Sequence, residues 1–240
     1  MALSFLVSAC AATTPGPQIS PEEERRAQAA LLAESKAWQR TVERKINEVG
    51  SRLQEAAGHE SRVQFHFLAT REQSAGKIHP DSVNAWTDGR SIWITRGMMR
   101  FLKNDNELAV VLAHELAHAC RGHTTNRTAK QALRLLLGPG PGQLVMALVE
   151  AATRQFDKDQ EREADLYGLI WAFKAGFDID NAKNLLKRMA VEAPESLRQG
   201  FLSSHPTSAE RLLAMEKIAA ALKKGLDPLK EHEHGRHGAV

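Results

Sequence analysis

The sequence is short of most features that would mark an unusual protein. Two cysteines in 240 residues, Cys10 and Cys120, exclude a disulfide-rich scaffold and leave at most one bridge. Charge of one sign is not in excess. With 32 basic and 29 acidic residues and a formal net charge of +3, the strong basic stripe of a dedicated nucleic-acid binder is missing. No run of 18 apolar residues occurs, so there is no conventional membrane-spanning helix. The nearest approaches, the first dozen residues and residues 143–152, are both too short. There is no internal repeat. What is present, 42% hydrophobic and 25% charged residues with 5% aromatics, fits a globular chain rather than a disordered one. The length suits one large domain or two small ones with a real core.

The N-terminus offers Cys10 a role other than a bridge. Residues 1–9 read MALSFLVSA and run straight into Cys10, which resembles the end of a bacterial lipoprotein signal cut before a lipid-bearing cysteine. That resemblance implies a signal over 1–9, lipidation of Cys10, and anchoring at a membrane surface without spanning it. Ala11 follows, where an acidic residue would favour inner-membrane retention. The expected location is therefore the periplasmic face of the outer membrane. The first Lys or Arg is Arg25, whereas a signal carries a basic start, so part of the signal is expected upstream of Met1. The other reading is a flexible terminus with a chance cysteine. Cys120 is then a lone thiol, most simply a small buried helix residue.

Residues 10–19, with Pro15, Gly16 and Pro17, read as a tether. One domain is expected over 20–226, followed by a polar, His-rich tail over 227–240. Ser20, Pro21 and Glu23 form a helix start with a capping box. Leu31, Trp38, Val42, Ile46, Val49 and Leu53 make one apolar stripe on a long helix ending near Gly58. Val63, Phe65 and Phe67 alternate as in a strand, and Ser91–Thr95 (SIWIT) is a second. Asn104 caps a helix that runs to Gly122. Further helical patterns cover 124–137, 143–153, 158–174 (stopped by Gly176), 180–190 and 207–224, the last with Thr207 and Glu210 as a capping box. The fold class is α+β, mostly α, with a small β-sheet.

Residues 114–118 read His-Glu-Leu-Ala-His. Positions four apart on a helix lie about 40° apart around the axis, so His114 and His118 share a face. Both imidazoles can reach one Zn²⁺ at about 2.0–2.1 Å. Glu115, about 100° round, can take a proton from a water polarised by the metal without itself ligating. The helix is otherwise apolar (VVLAHELAHA), so these polar groups sit in the interior and need partners, which a metal supplies.

A hydrolytic site needs a third protein ligand and one open position. His123 lies about 140° from His118 on the helical projection, and the metzincin spacing would need Gly at 121 and His at 124, where the chain has Arg121 and Thr124. A carboxylate on another helix is the alternative. Glu161 and Asp165 share a helical face. Glu161 can ligate, while Asp165 accepts the proton of a ligand imidazole's outer nitrogen and fixes its tautomer. Glu163, about 200° from Glu161, points away. The competing reading is a solvated charge run, DKDQERE.

Taken together, these motifs resemble the M48 family of zinc metallopeptidases over about residues 84–211. The match rests on Asn84-Ala85-Trp86 with SIWITRGMM, on His114-Glu115-x-x-His118 followed by Gly122-His123, on Glu161-x-x-x-Asp165, and on Ser204-His205-Pro206 with Arg211. The resemblance implies a zincin-like metallopeptidase domain with one Zn²⁺. Glu161 would be the third ligand, Glu115 the general base, and His205 near the metal. Such a His either stabilises the oxyanion or, in some members, fills the open metal position and holds the enzyme latent. From the residues alone, such a residue as His205 is more often a loop His before proline. Arg211 orients substrate or pairs with a carboxylate. The chain looks like the small, lipid-anchored periplasmic branch, without the helical repeats or membrane helices of others.

Substrate is expected along an edge strand, here Ser91–Thr95 with Ile92, Trp93 and Ile94, led into by Asn84, Ala85 and Trp86. A core strand without a substrate role is the other reading. The break at 138–142 and the apolar segment 144–149 are expected to form either a lid over the cleft or part of the core. His232, His234 and His237 bind metal loosely or belong to a solvated tail. The expected function is a zinc-dependent endopeptidase acting on unfolded or misassembled cell-envelope proteins. The alternative is a zinc-bound assembly or quality-control factor with latent proteolysis. A purely structural zinc site is a third, weaker idea.

Overall fold

The computed structural model describes residues 16–58, 63–74, 78–123 and 143–230, with backbone alone for 74, 143–157 and 181. Cys10, the signal, the helix expected over 124–137, the break at 138–142 and the three tail histidines lie outside the described residues. So do the side chains of 144–149. The chain divides into two compact units, Met1–Arg40 and Thr41–Val240.

Helix α1 (Pro21–Ala57) begins with the expected capping box. Ser20 N donates to Glu23 Oε2 at 2.8 Å, and Glu23 N donates to Ser20 Oγ at 3.2 Å. Three acidic residues, Glu22 to Glu24, complement the helix dipole in the first turn. In the first unit Leu31 is 67% and Trp38 40% exposed. In the second unit Val42, Ile46, Val49 and Leu53 are buried. The periodicity is thus one continuous signal, but only its C-terminal half belongs to the core.

The sheet has strands β1 (Gln64–Leu68), β2 (Ala85–Thr87) and β3 (Ser91–Thr95), in the order β1-β3-β2. β1 runs parallel to β3, with Phe65 opposite Ile92 and Phe67 opposite Ile94. β2 is antiparallel to β3, with Ala85 opposite Ile94. All five of these side chains are buried. The intervening residues His66, Trp93 and Trp86 form a row on the opposite face, with ring centroids 4.3 and 6.0 Å apart. This corrects the expectation for Ser91–Thr95. β3 is the central strand, hydrogen-bonded on both sides, so it offers no edge to a substrate. Ile92 and Ile94 are fully buried core. The strands on either side of it are β1 and β2, and β2 is a three-residue strand too short to stand out in the sequence.

Thr95 caps a short helix α2 (Arg96–Phe101) by accepting from Met98 N at 3.1 Å. Asn104 then caps α3 (Asp105–Cys120), accepting from Glu107 N at 3.0 Å. Nearly every side chain from Glu107 to His118 is buried, which marks α3 as the central helix of the domain. Its start is held by a buried ion pair. Glu107 meets Arg188 at 2.5 and 2.8 Å, and Arg188 also donates to the Phe101 carbonyl at 3.0 Å.

The helical patterns at 143–153 and 158–174 merge into one helix, α4 (Gln143–Lys174), which packs along α3. Close approach is possible because Gly168 faces the α3 backbone. A Cβ there would lie 3.1 Å from His114 N and 3.2 Å from the Ala113 carbonyl carbon. Helices α5 (Asp180–Val191), α6 (Glu195–Gln199), α7 (Phe201–Ser204) and α8 (Ala209–Lys223) complete the chain. The cap of α8 is Ser208, which accepts from Arg211 N at 3.1 Å, not Thr207. Glu210 pairs instead with Arg162. No described helix is long and apolar enough to cross a membrane. The fold is therefore α+β and mostly α, as expected.

Candidate metal centre

Three helices and a loop converge on one point. α3 supplies His114, Glu115 and His118, α4 supplies Glu161 and Asp165, the turn after α7 supplies His205, and α8 supplies Arg211. All seven are buried, from 1% to 8% exposed. Among the described residues, one group offers metal-ligand atoms clustered together: His114, His118, Glu161 and His205, with those atoms within 4.8 Å of one another.

Five of the six pairs in the cluster are spaced as in a coordination shell. His114 Nε2 and His118 Nε2 are 3.1 Å apart. Glu161 lies 3.3 Å from His114 Nε2 and 3.2 Å from His118 Nε2. His205 Nδ1 lies 3.2 Å from His114 Nε2 and 2.9 Å from Glu161 Oε1. A tetrahedron of ligands about 2.0–2.1 Å from an ion has edges of roughly 3.3 Å.

Charge points the same way. Three buried carboxylates, Glu115, Glu161 and Asp165, face one buried guanidinium, Arg211. Two negative charges are left over in a site that excludes water, and one divalent cation balances them. With protons as the only positive charge at the centre, the three imidazoles would have to supply it. Burial works against a charged His114, yet the carboxylates of Asp165 and Glu161 raise it to about 9. Burial dominates at His118 and lowers it to about 3. Burial also opposes the Glu161 charge, but the histidines around it hold the carboxyl well below its ordinary value. Neutral His118 and ionised Glu161 are in the forms a metal takes up, and at His114 a metal would stand in place of the proton that the carboxylates favour.

The outer partners are built in. His114 Nδ1 lies 3.1 Å from Asp165 Oδ1, which fixes the Nδ1–H tautomer and turns the Nε2 lone pair inward. Asp165 is itself gripped by Arg211 through two bonds of 2.8 Å. Arg211 also reaches Glu161 Oε2 at 3.1 Å and the Pro206 carbonyl at 2.8 Å, next to His205. It therefore pairs with carboxylates, the second of its two expected roles.

Two buried atoms at the centre have no hydrogen bond, Glu115 Oε1 and His205 Nε2. They are 3.2 Å apart but not aligned as donor and acceptor. Unsatisfied polar atoms in the interior are rare and mark positions kept for a ligand or for chemistry. The donor set, the charge balance and these orphaned atoms all fit a bound divalent metal.

Two expectations need completing. His123 is not in the cluster; its Nδ1 lies 2.9 Å from His118 Nδ1, on the outward side of that ring. Glu163 points away from Glu161, as its helical angle requires, but it arrives at His123 Nε2 at 3.0 Å. Sequence reasoning tested His123 only as a ligand and Glu163 only as a neighbour of Glu161, and so missed that the two meet. Among the expected substrate residues, Asn84 and Ala85 precede and open β2, and Asn84 Oδ1 is another buried atom without a partner. Trp86 and Trp93 lie in the aromatic row on the far face of the sheet.

Comparison with known proteins adds an independent line. The profile described as peptidase family M48 matches residues 37–219. Mitochondrial metalloendopeptidase OMA1 of Schizosaccharomyces pombe is 31% identical over 172 residues, 65% of this chain and 51% of that protein. The beta-barrel assembly-enhancing protease of Escherichia coli is 27% identical over 187 residues, 70% of this chain and 37% of that protein. Mitochondrial metalloendopeptidase OMA1 of Saccharomyces cerevisiae is 30% identical over 141 residues, 54% of this chain and 41% of that protein. The chain spans about half or less of the length of these relatives.

Proposed function

The chain belongs to peptidase family M48, and from that premise we propose that it is a zinc-dependent endopeptidase held at rest by its own His205. The observation that carries this reading is the cluster itself. Four ligand atoms converge on one point, with the unsatisfied Glu115 carboxylate beside them. His114, His118 and Glu161 would hold the ion. Zinc bound there supplies Lewis acidity and lowers the pKa of a coordinated water to about 7. Glu115 is the carboxylate that takes a proton from the attacking water and returns it to the leaving amine. A site with only a structural role has no use for Glu115 in that place.

His205 takes the position that a hydrolytic site keeps open. Its Nδ1 is in the cluster and its Nε2 faces Glu115, so one ring covers both the fourth position and the base. This favours latency in the resting state, and displacement of the turn that carries His205 is the activating step.

Peptide substrate is read here as adding to the outer side of β2, which has no strand partner among the described residues and packs against α3. Asn84 Oδ1 supplies a free acceptor for a substrate N–H. Unfolded or misassembled cell-envelope proteins are the proposed substrates. The similarity to a protein named for beta-barrel assembly supports that class, as does the Cys10 sequence, which would anchor the chain by lipid at the periplasmic face of the outer membrane.

The test is casein cleavage by the full chain with zinc quantified in the same samples. Wild type should hold about one zinc and cleave slowly, and His205→Ala should cleave at least about tenfold faster. Adding Glu115→Gln to that variant should abolish cleavage while zinc is kept. If His205→Ala holds zinc and does not cleave, the chain is an assembly or quality-control factor rather than an active peptidase.

A further inference from the structure

The two nitrogens of the His118 ring face different ways. Nε2 joins the cluster, whereas Nδ1 points outward and meets His123 Nδ1 at 2.9 Å. His123 is 3% exposed, and its own Nε2 lies 3.0 Å from Glu163 Oε2. Glu163 Oε1 in turn receives Arg121, through Nε at 2.8 Å and Nη2 at 2.6 Å. The Arg121 guanidinium is backed by the Tyr167 ring, 4.6 Å from its centroid. Gly122, at φ +72, bends the chain so that His123 turns back beneath His118 rather than continuing round the helix.

The direction of the protons along this line follows from its outer end. A carboxylate paired with arginine is ionised and can only accept. His123 therefore donates from Nε2. In a neutral imidazole the other nitrogen is then an acceptor, so His123 Nδ1 receives the Nδ1–H of His118. His118 is left with its lone pair on Nε2, directed at the cluster. The reverse order is blocked, because Glu163 has no proton to give.

We infer that His123 and Glu163 are positioning residues. They form a relay, anchored by Arg121, that fixes the tautomer and ring orientation of His118 as a metal ligand. The inference rests on reading the cluster as a metal site. It gives His118 the support that Asp165 gives His114, delivered through an imidazole because, among the described residues, no carboxylate of α4 meets the outward side of His118 directly.

The test compares zinc affinity of the full chain, by competition with a chelating dye, for wild type, His123→Ala, Glu163→Ala and Glu163→Gln. The visible spectra of the cobalt-loaded proteins are recorded alongside. Outer partners of metal ligands are worth about 10–100-fold in metal affinity. His123→Ala and Glu163→Ala should both lose affinity on that scale and shift the cobalt bands. Glu163→Gln keeps an acceptor oxygen for His123 and should recover most of the loss. The Glu163 side chain is 34% exposed, so its variants test the relay even where His123→Ala fails to fold. If wild type binds zinc and the Glu163 variants match it within about twofold, with unchanged cobalt spectra, the relay is overturned and the metal site stands. If wild type binds no zinc, both fall.

Discussion

Replacing Gly168 with alanine separates the two jobs of the α3–α4 contact, holding the core together and setting the metal ligands. A Cβ at 168 would sit 3.1–3.2 Å from the backbone of Ala113 and His114. Ordinary carbon contacts are about 3.5–4.0 Å, so α3 must retreat by about 0.4 Å, at the very residue that bears a ligand. Overpacking of this kind costs about 1–3 kcal/mol. The gain in helix propensity from Gly to Ala offsets about 1 kcal/mol of it. The net loss is roughly 0–2 kcal/mol, which lowers the melting temperature by at most about 8 °C in a domain of this size. A coordination shell is less forgiving, since ligand distances hold to about ±0.2 Å. Zinc affinity should therefore fall more than about tenfold, or 1.4 kcal/mol, while the fold survives. The assay pairs thermal unfolding with zinc competition. If Gly168→Ala binds zinc as tightly as wild type, close helix approach does not set the ligand geometry and the reasoning fails.

Removing one partner of the Glu107–Arg188 pair by Glu107→Gln leaves a buried guanidinium short of its counter-charge. The cost is about 3–5 kcal/mol, or about 10 °C in melting temperature. Burial pushes the Glu107 carboxyl up, but Arg188 and the Lys103 N–H pull it below its ordinary value. Its stabilisation is thus present above the unfolded carboxyl value of about 4.3 and is lost as pH falls through the lower folded value. The melting difference between wild type and Glu107→Gln should narrow in acid, and a difference that widens would contradict the assignment. Asp165→Asn should weaken zinc binding about 10–100-fold, because the amide cannot match the charge that holds Arg211 and His114. Unchanged binding would show that His114 needs no such partner.

The core helix was legible because from Leu108 onward it is apolar on every side except at three positions, and a buried His-x-x-x-His pair with an intervening Glu has few other uses. The Glu161–Asp165 spacing was legible for the same reason, one face of one helix. What the sequence hid depends on long-range geometry. A three-residue strand such as β2 carries too little alternation to be seen, and only its pairing shows that β3 is central. The exposure of Leu31 and Trp38 is invisible to periodicity, which reports a face but not whether anything covers it. The meeting of His123 with Glu163 needed, besides the turn at Gly122, the register of α4 against α3, which local pattern does not encode. Its one advance signal was a histidine placed directly after the glycine that ends the metal-binding helix.

The most direct measurement is the zinc K-edge X-ray absorption spectrum of the zinc-loaded full chain and of its His205→Ala variant. Nitrogen and oxygen neighbours at about 2.0–2.1 Å are expected, with the multiple-scattering pattern of three imidazoles in wild type and two in the variant. A sulfur shell near 2.3 Å, or an all-oxygen shell without imidazole scattering, would place the metal elsewhere and contradict the central claim.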